Sequence, residues 1–309
     1  MSTLRFPLCL LILSLGLVGF AQAVPHRDNR VLAQSTTSQS TTSQLTTSRS
    51  TISQSTTSQS TLSPLATVLS QATILDLSHT YDENTLYWPT SPSNFKIETL
   101  ASGWTDKGYF YAANAFCTPE HGGTHIDAPI HFGENKQTVE QIPVAKLIGP
   151  AVVIDVSAAA AKNRDYQLQL ADVRAWEDQY GKIPEDAIIL LRTGWSQYWG
   201  DRKAYLGDDT PGDASNLHFP SFGAEAVQFL VEERSIAGLG VDTASIDNGP
   251  STDFLVHRIV ADANVFGLEN LTNLDQLPPI GATLMALPMK IAGGSGAPVR
   301  AIAIIPSAD

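Results

Sequence analysis

Apolar and polar positions divide the chain into three stretches. Phe6 to Phe20 is an uncharged apolar run behind Arg5, and Ala21-Gln22-Ala23 follows it. A basic start, an apolar core and a small-x-small site predict an export signal over residues 1–23, cleaved after Ala23. The competing reading, an uncleaved anchor, is disfavoured because the run is shorter than the roughly 20 residues of a bilayer span. Next, residues 35–64 divide into six pentads, STTSQ, STTSQ, LTTSR, STISQ, STTSQ and STLSP, in which Ser and Thr fill 21 of 30 positions. So little apolar surface cannot offset the entropy of ordering the chain, which predicts a disordered Ser/Thr-rich linker over 24–71. An adhesive or solenoid repeat is disfavoured, because the pentads carry no hydrophobic face.

The third stretch, 72–309, alternates short β-branched runs with helical patterns. The runs Ile74–Leu77, Phe95–Glu98, Ala151–Val156, Ala187–Leu191, Ala237–Val241, Val265–Leu268 and Arg300–Ile305 read as strands. Most are continuously apolar, as strands covered on both faces are. Gln169–Tyr180, Gly223–Glu233 and Phe254–Asp262 carry helical spacing; in the first, Leu170, Val173 and Trp176 share a face. The expected fold is a single compact α/β domain with a mixed β-sheet, closing into a barrel, and helices packed outside. Element lengths are too irregular for eight βα repeats.

Charge narrows the function classes. The chain carries 19 basic and 31 acidic side chains, a net charge of −12. Arg5, Arg27, Arg30, Arg49 and Asp28 precede Ala72, so the globular part holds 15 basic and 30 acidic groups, near −15. Nucleic acid is excluded as an expected partner, because phosphate binding needs a basic surface. A cation site suits this balance better. Beyond the N-terminus no apolar run approaches a membrane span, so no span is expected after signal cleavage. Cys9 sits in the apolar leader, which leaves Cys117 as the lone cysteine of the mature chain and rules out a disulfide framework. It reads as a small buried apolar residue.

The chemistry concentrates in His121-Gly-Gly-Thr-His125-Ile-Asp127-Ala-Pro-Ile-His131-Phe132, three imidazoles and a carboxylate within eleven residues. Neutral imidazole and carboxylate suit Zn²⁺, Mn²⁺ or Fe²⁺. Gly122, Gly123 and Pro129 argue against a helix. In extended chain His125 and Asp127 point to the same side, and the glycines let His121 converge from another direction. A second cluster, Asp242, Ser245, Asp247, Asp253, His257 and Glu269, lies downstream. Its spacing alone is less specific. Asp253 reads equally as the cap of the helix at 254–262, and His257 as a residue of that helix's surface.

HGGTHIDAPIHF resembles the H-x-G-T-H-x-D-x-P-x-H-F motif of the cyclase family, which includes bacterial kynurenine formamidase and isatin hydrolase. GVDTASIDNGPSTDFLVHRIVADANVFGLENL is similar to that family's second block, DLSHTYDENTLYWP to its first strand and aromatic turn, and LPMKIAGGSGAPVRAIAI to its C-terminal strands. The resemblance spans Ile74 to Ile305. It implies a swivelling mixed β-barrel, assembled as a homo-oligomer. It implies His121, His125, Asp127, His257 and Glu269 as ligands of one or two divalent ions, Zn or Mn, with Asp127 and Glu269 able to bridge. It further implies His131 as proton donor and acceptor and Trp88 beside the substrate.

The expected activity is hydrolysis of a small aromatic amide: arylformamidase chemistry, N-formylkynurenine to kynurenine and formate, or isatin-hydrolase-like opening of a cyclic amide. The export signal and repeat tract sit poorly with cytoplasmic tryptophan breakdown, and the blocks around Ser245 and NLTNLDQLP look closer to the isatin-hydrolase branch. A catalytically silent exported metal-binding protein and a stalked surface module are the alternatives of another class. The location expected is outside the cytoplasm, periplasmic, cell-surface or extracellular.

Overall fold

The computed structural model describes residues 63–307; the export signal and most of the repeat tract lie outside the described residues. Strands are β1 (Thr73–Asp76), β2 (Lys96–Trp104), β3 (Phe110–Cys117), β4 (His125–Asp127), β5 (Ile148–Asp155), β6 (Gln167–Leu168), β7 (Ile188–Arg192), β8 (Ser221–Phe222), β9 (Gly238–Val241), β10 (Phe266–Glu269), β11 (Thr283–Pro288) and β12 (Gly296–Ile305). Helices are α1 (Pro64–Gln71), α2 (Ser157–Ala160), α3 (Leu170–Tyr180), α4 (Arg202–Leu206), α5 (Ala224–Arg234) and α6 (Leu255–Asp262).

The main sheet runs β1-β12-β11-β5-β7-β9-β10-β4, and β12 pairs β4 as well. That last pairing closes seven strands into a barrel, with β1 as an outer strand on β12. Pairings β5–β7, β7–β9 and β9–β10 are parallel and the others antiparallel, so the sheet is mixed as expected. Closure leaves few free edges in the main sheet.

Alternation along the strands sorts the core into layers. Val153, Ile188, Leu190, Leu268, Leu284 and Ala301 belong to the cluster inside the barrel. Their neighbours Val152, Ile154, Ile189 and Leu191 face outward onto Val173, Trp176, Val227, Leu230 and Val260 of α3, α5 and α6. Burial on both faces is why these strands read as continuous apolar runs. On α3 the predicted stripe is buried at Val173 and Trp176, and Trp176 Nε1 donates to the Val153 carbonyl at 2.9 Å. A third cluster, with Leu86, Trp195, Tyr205, Leu217 and Phe219, underlies one end of the barrel.

Three sequence expectations shift. Helix α1 lies inside the segment read as linker: Ser63 Oγ accepts from Ala66 N at 3.2 Å and Pro64 occupies the first turn, so regular structure begins before Ala72. The run at Phe95–Glu98 is only the start of a long β2–β3 hairpin, exposed over nearly its whole length. Cys117 ends β3 and is exposed rather than buried, because the hairpin projects beyond the core. Among the described residues no helix is long and apolar enough to cross a membrane.

Candidate metal centre

The motif at 121–132 passes through β4, which lies between β10 and β12. His125 and Asp127 flank Ile126, whose side chain points into the barrel core. Alternation therefore sends both polar side chains to one side, as the spacing anticipated. Gly123 takes φ +59°, and a Cβ there would meet the Tyr81 ring at 2.5 Å. The single Tyr81 hydroxyl hydrogen is shared between the carbonyls of Gly122 (2.5 Å) and Thr124 (2.9 Å), holding this turn so that His121 swings back over β4.

β10 brings Glu269 opposite His125 in antiparallel register. α6 brings His257, and all five expected ligands meet. His121 Nδ1 lies 2.6 Å and His125 Nε2 3.2 Å from Asp127 Oδ1. His257 Nε2 lies 3.4 Å from Asp127 Oδ2 and 3.3 Å from Glu269 Oε1, and His125 Nε2 is 3.5 Å from Glu269 Oε2. Two overlapping groups result, His121–His125–Asp127 and Asp127–His257–Glu269, each compact enough for one ion and sharing Asp127.

The imidazoles are aimed. His125 Nδ1 donates to the Gly123 carbonyl at 2.9 Å and His257 Nδ1 to Asp247 Oδ2 at 2.7 Å, which turns both Nε2 atoms inward. Such outer hydrogen bonds accompany nearly every ligating histidine. Asp247 also accepts from the backbone N–H of Val256 and His257, both at 3.0 Å. It is thus the cap of α6 as well as the orienter of His257. Asp253 is exposed and makes no cap bond, because Phe254, in the left-handed region at φ +50°, turns the chain into the helix. Asp242 does not join the cluster. It accepts from Thr193 N, Thr193 Oγ1, Gly194 N and Trp195 N at 2.6–3.2 Å and pins that loop.

The electrostatics call for a cation. Burial pushes the Glu269 carboxyl up, with the Asp127 charge adding to it. Burial would also raise Asp127, but the facing His125 and His121 hold it well below the usual carboxylate range. Desolvation works against charge on His125, yet Asp127 and Glu269 outweigh it and lift its pKa to about 9. His257 is lifted likewise by Asp127, Asp247 and Glu269. His125 Nε2 and Asp127 Oδ2 are buried and have no hydrogen-bond partner. Orphaned lone pairs of this kind are costly unless a cation takes them. The donor set, imidazole nitrogen and carboxylate oxygen without thiolate, fits a divalent ion.

His131 sits at the rim of this centre. Its ring stacks on His121, centroids 3.7 Å apart, and lies 6.0 Å from His257. Burial, opposed by the Asp127 charge, lowers its pKa to about 3, so the ring is neutral near pH 7. Beside it opens a cavity of about 260 Å³. Trp88, Phe132 and Phe254 line it, and Trp88 and Phe254 lie 6.3 Å apart. Phe254 and Leu206 had no signal in the sequence: their place on the wall follows from how α6 and α4 pack.

A closed barrel that gathers imidazoles and carboxylates under an aromatic cavity is the architecture of a metal-dependent hydrolase. Residues 75–248 match the Cyclase family model. The chain is 35% identical over 215 residues to an isatin hydrolase from Roseibium aggregatum, covering 67% of this chain and 80% of the relative. A kynurenine formamidase from Salinibacter ruber is 28% identical over 231 residues, covering 74% and 96%. The solved structure of isatin hydrolase A from Ralstonia solanacearum matches at a TM-score of 0.71 and 37% identity, covering 78% of this chain and 95% of that one. The chain belongs to the Cyclase family.

Proposed function

We propose that this protein is a metal-dependent amide hydrolase that opens a compact cyclic aromatic amide of the isatin type. The cavity carries this reading. At about 260 Å³ it is smaller than the roughly 300–1,000 Å³ of drug-sized sites, and most of the surface it exposes is apolar. Among the described lining residues none is Lys or Arg. A neutral fused-ring amide needs no such partner. N-Formylkynurenine, the substrate of the second reading, carries an α-carboxylate for which this lining offers no cationic partner. The identities run the same way, 35% and 37% to isatin hydrolases against 28% to a kynurenine formamidase.

His121, His125, Asp127, His257 and Glu269 would hold the metal, Zn²⁺ or Mn²⁺, as one ion or as two sharing Asp127. An ion held there supplies Lewis acidity, lowering the pKa of coordinated water towards about 7 and countering charge on the substrate oxygen. The chain's own groups do the rest. Trp88, Phe132 and Phe254 flank the aromatic ring. His131, neutral and facing the cavity, accepts a proton from the attacking water and returns it to the leaving nitrogen, which departs poorly as an anion.

The protein acts outside the cytoplasm, as the export signal and linker pattern support. It works as a homodimer through the β2–β3 hairpin. One face of that hairpin carries Ile97, Thr99, Ser102, Trp104, Phe110, Ala112, Asn114 and Phe116 without a single charge, although the chain is strongly acidic. Large apolar groups lie at both ends of this face and small ones between. A two-fold axis would seat the tip of one copy on the base of the other. On this face Trp104 is 77% exposed, Ile97 63%, and Phe110 and Phe116 about half exposed.

The deciding experiment purifies the full chain, measures bound metal, and compares isatin and N-formylkynurenine under matched metal additions. Isatinate formation, abolished by chelation, is expected. Formate release from N-formylkynurenine in its place would move the assignment to the arylformamidase reading. Metal without either activity would favour the catalytically silent module.

A further inference from the structure

The closing seam of the barrel does more than complete the sheet. In the antiparallel β12–β4 pairing Gly296 stands opposite Asp127. Just before β12, the Ser295 carbonyl accepts from Ala128 N at 2.9 Å and the Gly294 carbonyl from Val139 N at 3.0 Å. The segment 294–296 is thereby bonded to the backbone of the first metal motif. It delivers the Ser295 hydroxyl to 2.9 Å from His121 Nε2. Glu120 faces the same hydroxyl: its Oε2 accepts from Ser295 Oγ at 2.7 Å and from Ser295 N at 2.9 Å.

The direction of this chain of bonds follows from donor counting. A carboxylate only accepts, and a serine hydroxyl has one hydrogen to give. Ser295 Oγ spends it on Glu120 and must accept from His121 Nε2–H. That places a hydrogen on Nε2 and turns Nδ1 towards Asp127 Oδ1, 2.6 Å away. In the metal-free chain Nδ1 shares a proton with Asp127; with an ion bound, the Nε2–H tautomer would leave Nδ1 as the ligand atom. Gly296 completes the fit: a Cβ there would stand 2.5 Å from His121 Cε1 and 2.9 Å from Nδ1, so any other residue would push the ring off its position. Among the described residues no other bond holds the outer nitrogen of His121, whose side chain is 26% exposed, unlike the buried His125 and His257.

We propose that Ser295 and Glu120, with the close approach allowed by Gly296, form a clamp that sets the tautomer and aim of His121 and thereby the divalent-ion affinity of the centre. Both are positioning residues: Ser295 comes from the barrel seam, and Glu120 directly precedes the first ligand motif. The inference rests on the metal-centre reading above and adds a determinant outside the ligand set.

The test uses the full chain and Zn²⁺ alone, in competition with a chromophoric chelator at fixed pH, for the wild type, Ser295→Ala, Ser295→Thr and Glu120→Gln. Outer-shell partners of ligating histidines are worth about 10–100-fold in metal affinity. Ser295→Ala is expected to lose affinity in that range, Ser295→Thr to recover most of it, and Glu120→Gln to fall between. The unfolding midpoint of the metal-free Ser295→Ala chain should match that of the wild type while its Zn²⁺-induced rise shrinks, which a merely structural serine would not produce. If Ser295→Ala binds Zn²⁺ within twofold of wild type, the clamp is refuted and the hydrolase reading stands. A wild-type chain with no Zn²⁺ affinity overturns both.

Discussion

His131 and Asp247 illustrate how differently two side chains of one centre are committed. His131 is held by stacking on His121, and among the described residues no hydrogen bond engages either of its ring nitrogens. It is free to move a proton. Replacing it with alanine should leave metal content unchanged, measured on the purified chain, and cut turnover by about 10²–10⁴-fold; a metal-free product would remove the assigned role. Asp247 is fully engaged, accepting from His257 Nδ1 and from two backbone N–H groups of α6. Asp247→Asn turns an amide N–H₂ towards those donors. We expect a loss of about 0.5–2 kcal/mol from the helix cap together with about 10–100-fold in metal affinity. Denaturant unfolding of the metal-free chain reads the first and chelator competition the second.

At the scale of elements, the barrel wall and the hairpin carry opposite duties. Trp176 on α3 is buried against the wall and spends its N–H on the Val153 carbonyl. Trp176→Ala should cost about 3–5 kcal/mol in equilibrium unfolding, since it combines a cavity with an unpaired carbonyl. The steady-state constants of the molecules that remain folded should not change. The hairpin contributes little to that core. A two-stranded ribbon is marginal by itself in water, which is a reason for it to be covered. Trp104→Asp combined with Phe110→Asp should leave the metal-free unfolding midpoint of the barrel nearly unchanged and convert the full chain to a monomer by sedimentation. A dimer that survives both changes would place the interface elsewhere.

For the whole molecule, the buried centre couples fold, proton and metal. In the metal-free chain His125 titrates near 9 against about 6.5 when unfolded, and His257 is also raised. Such groups stabilise the fold fully below pH 6.5, and that contribution is lost as pH climbs through about 9. Thermal unfolding with a chelator present should therefore show the midpoint falling from pH 6.5 to 9.5. A divalent ion competes with those same protons, so its stabilising shift should grow over the same interval. A shift that shrinks with rising pH would contradict the assignment of His125 and His257 as ligands.

Much of this was legible in the chain itself, for identifiable reasons. Continuous apolar runs such as Ala187–Leu191 mark strands covered on both faces, and they appear as β7 and its barrel neighbours. The local motif could be read because a strand alternates: His125 and Asp127 share a side whatever the rest of the fold does. Strands β3 and β11 escaped notice, the one exposed and rich in alanine and aromatics, the other buried only at alternate positions, Leu284 and Ala286, so that it shows no continuous apolar run. Tertiary structure alone decided what lies far apart in sequence. It set Glu269 against His125 through the β10–β4 register, gave the α6 cap to Asp247 rather than Asp253, and carried Ser295 to His121 across 174 positions. Periodicity encodes which face a side chain takes; only barrel closure, a global register, determines which faces meet.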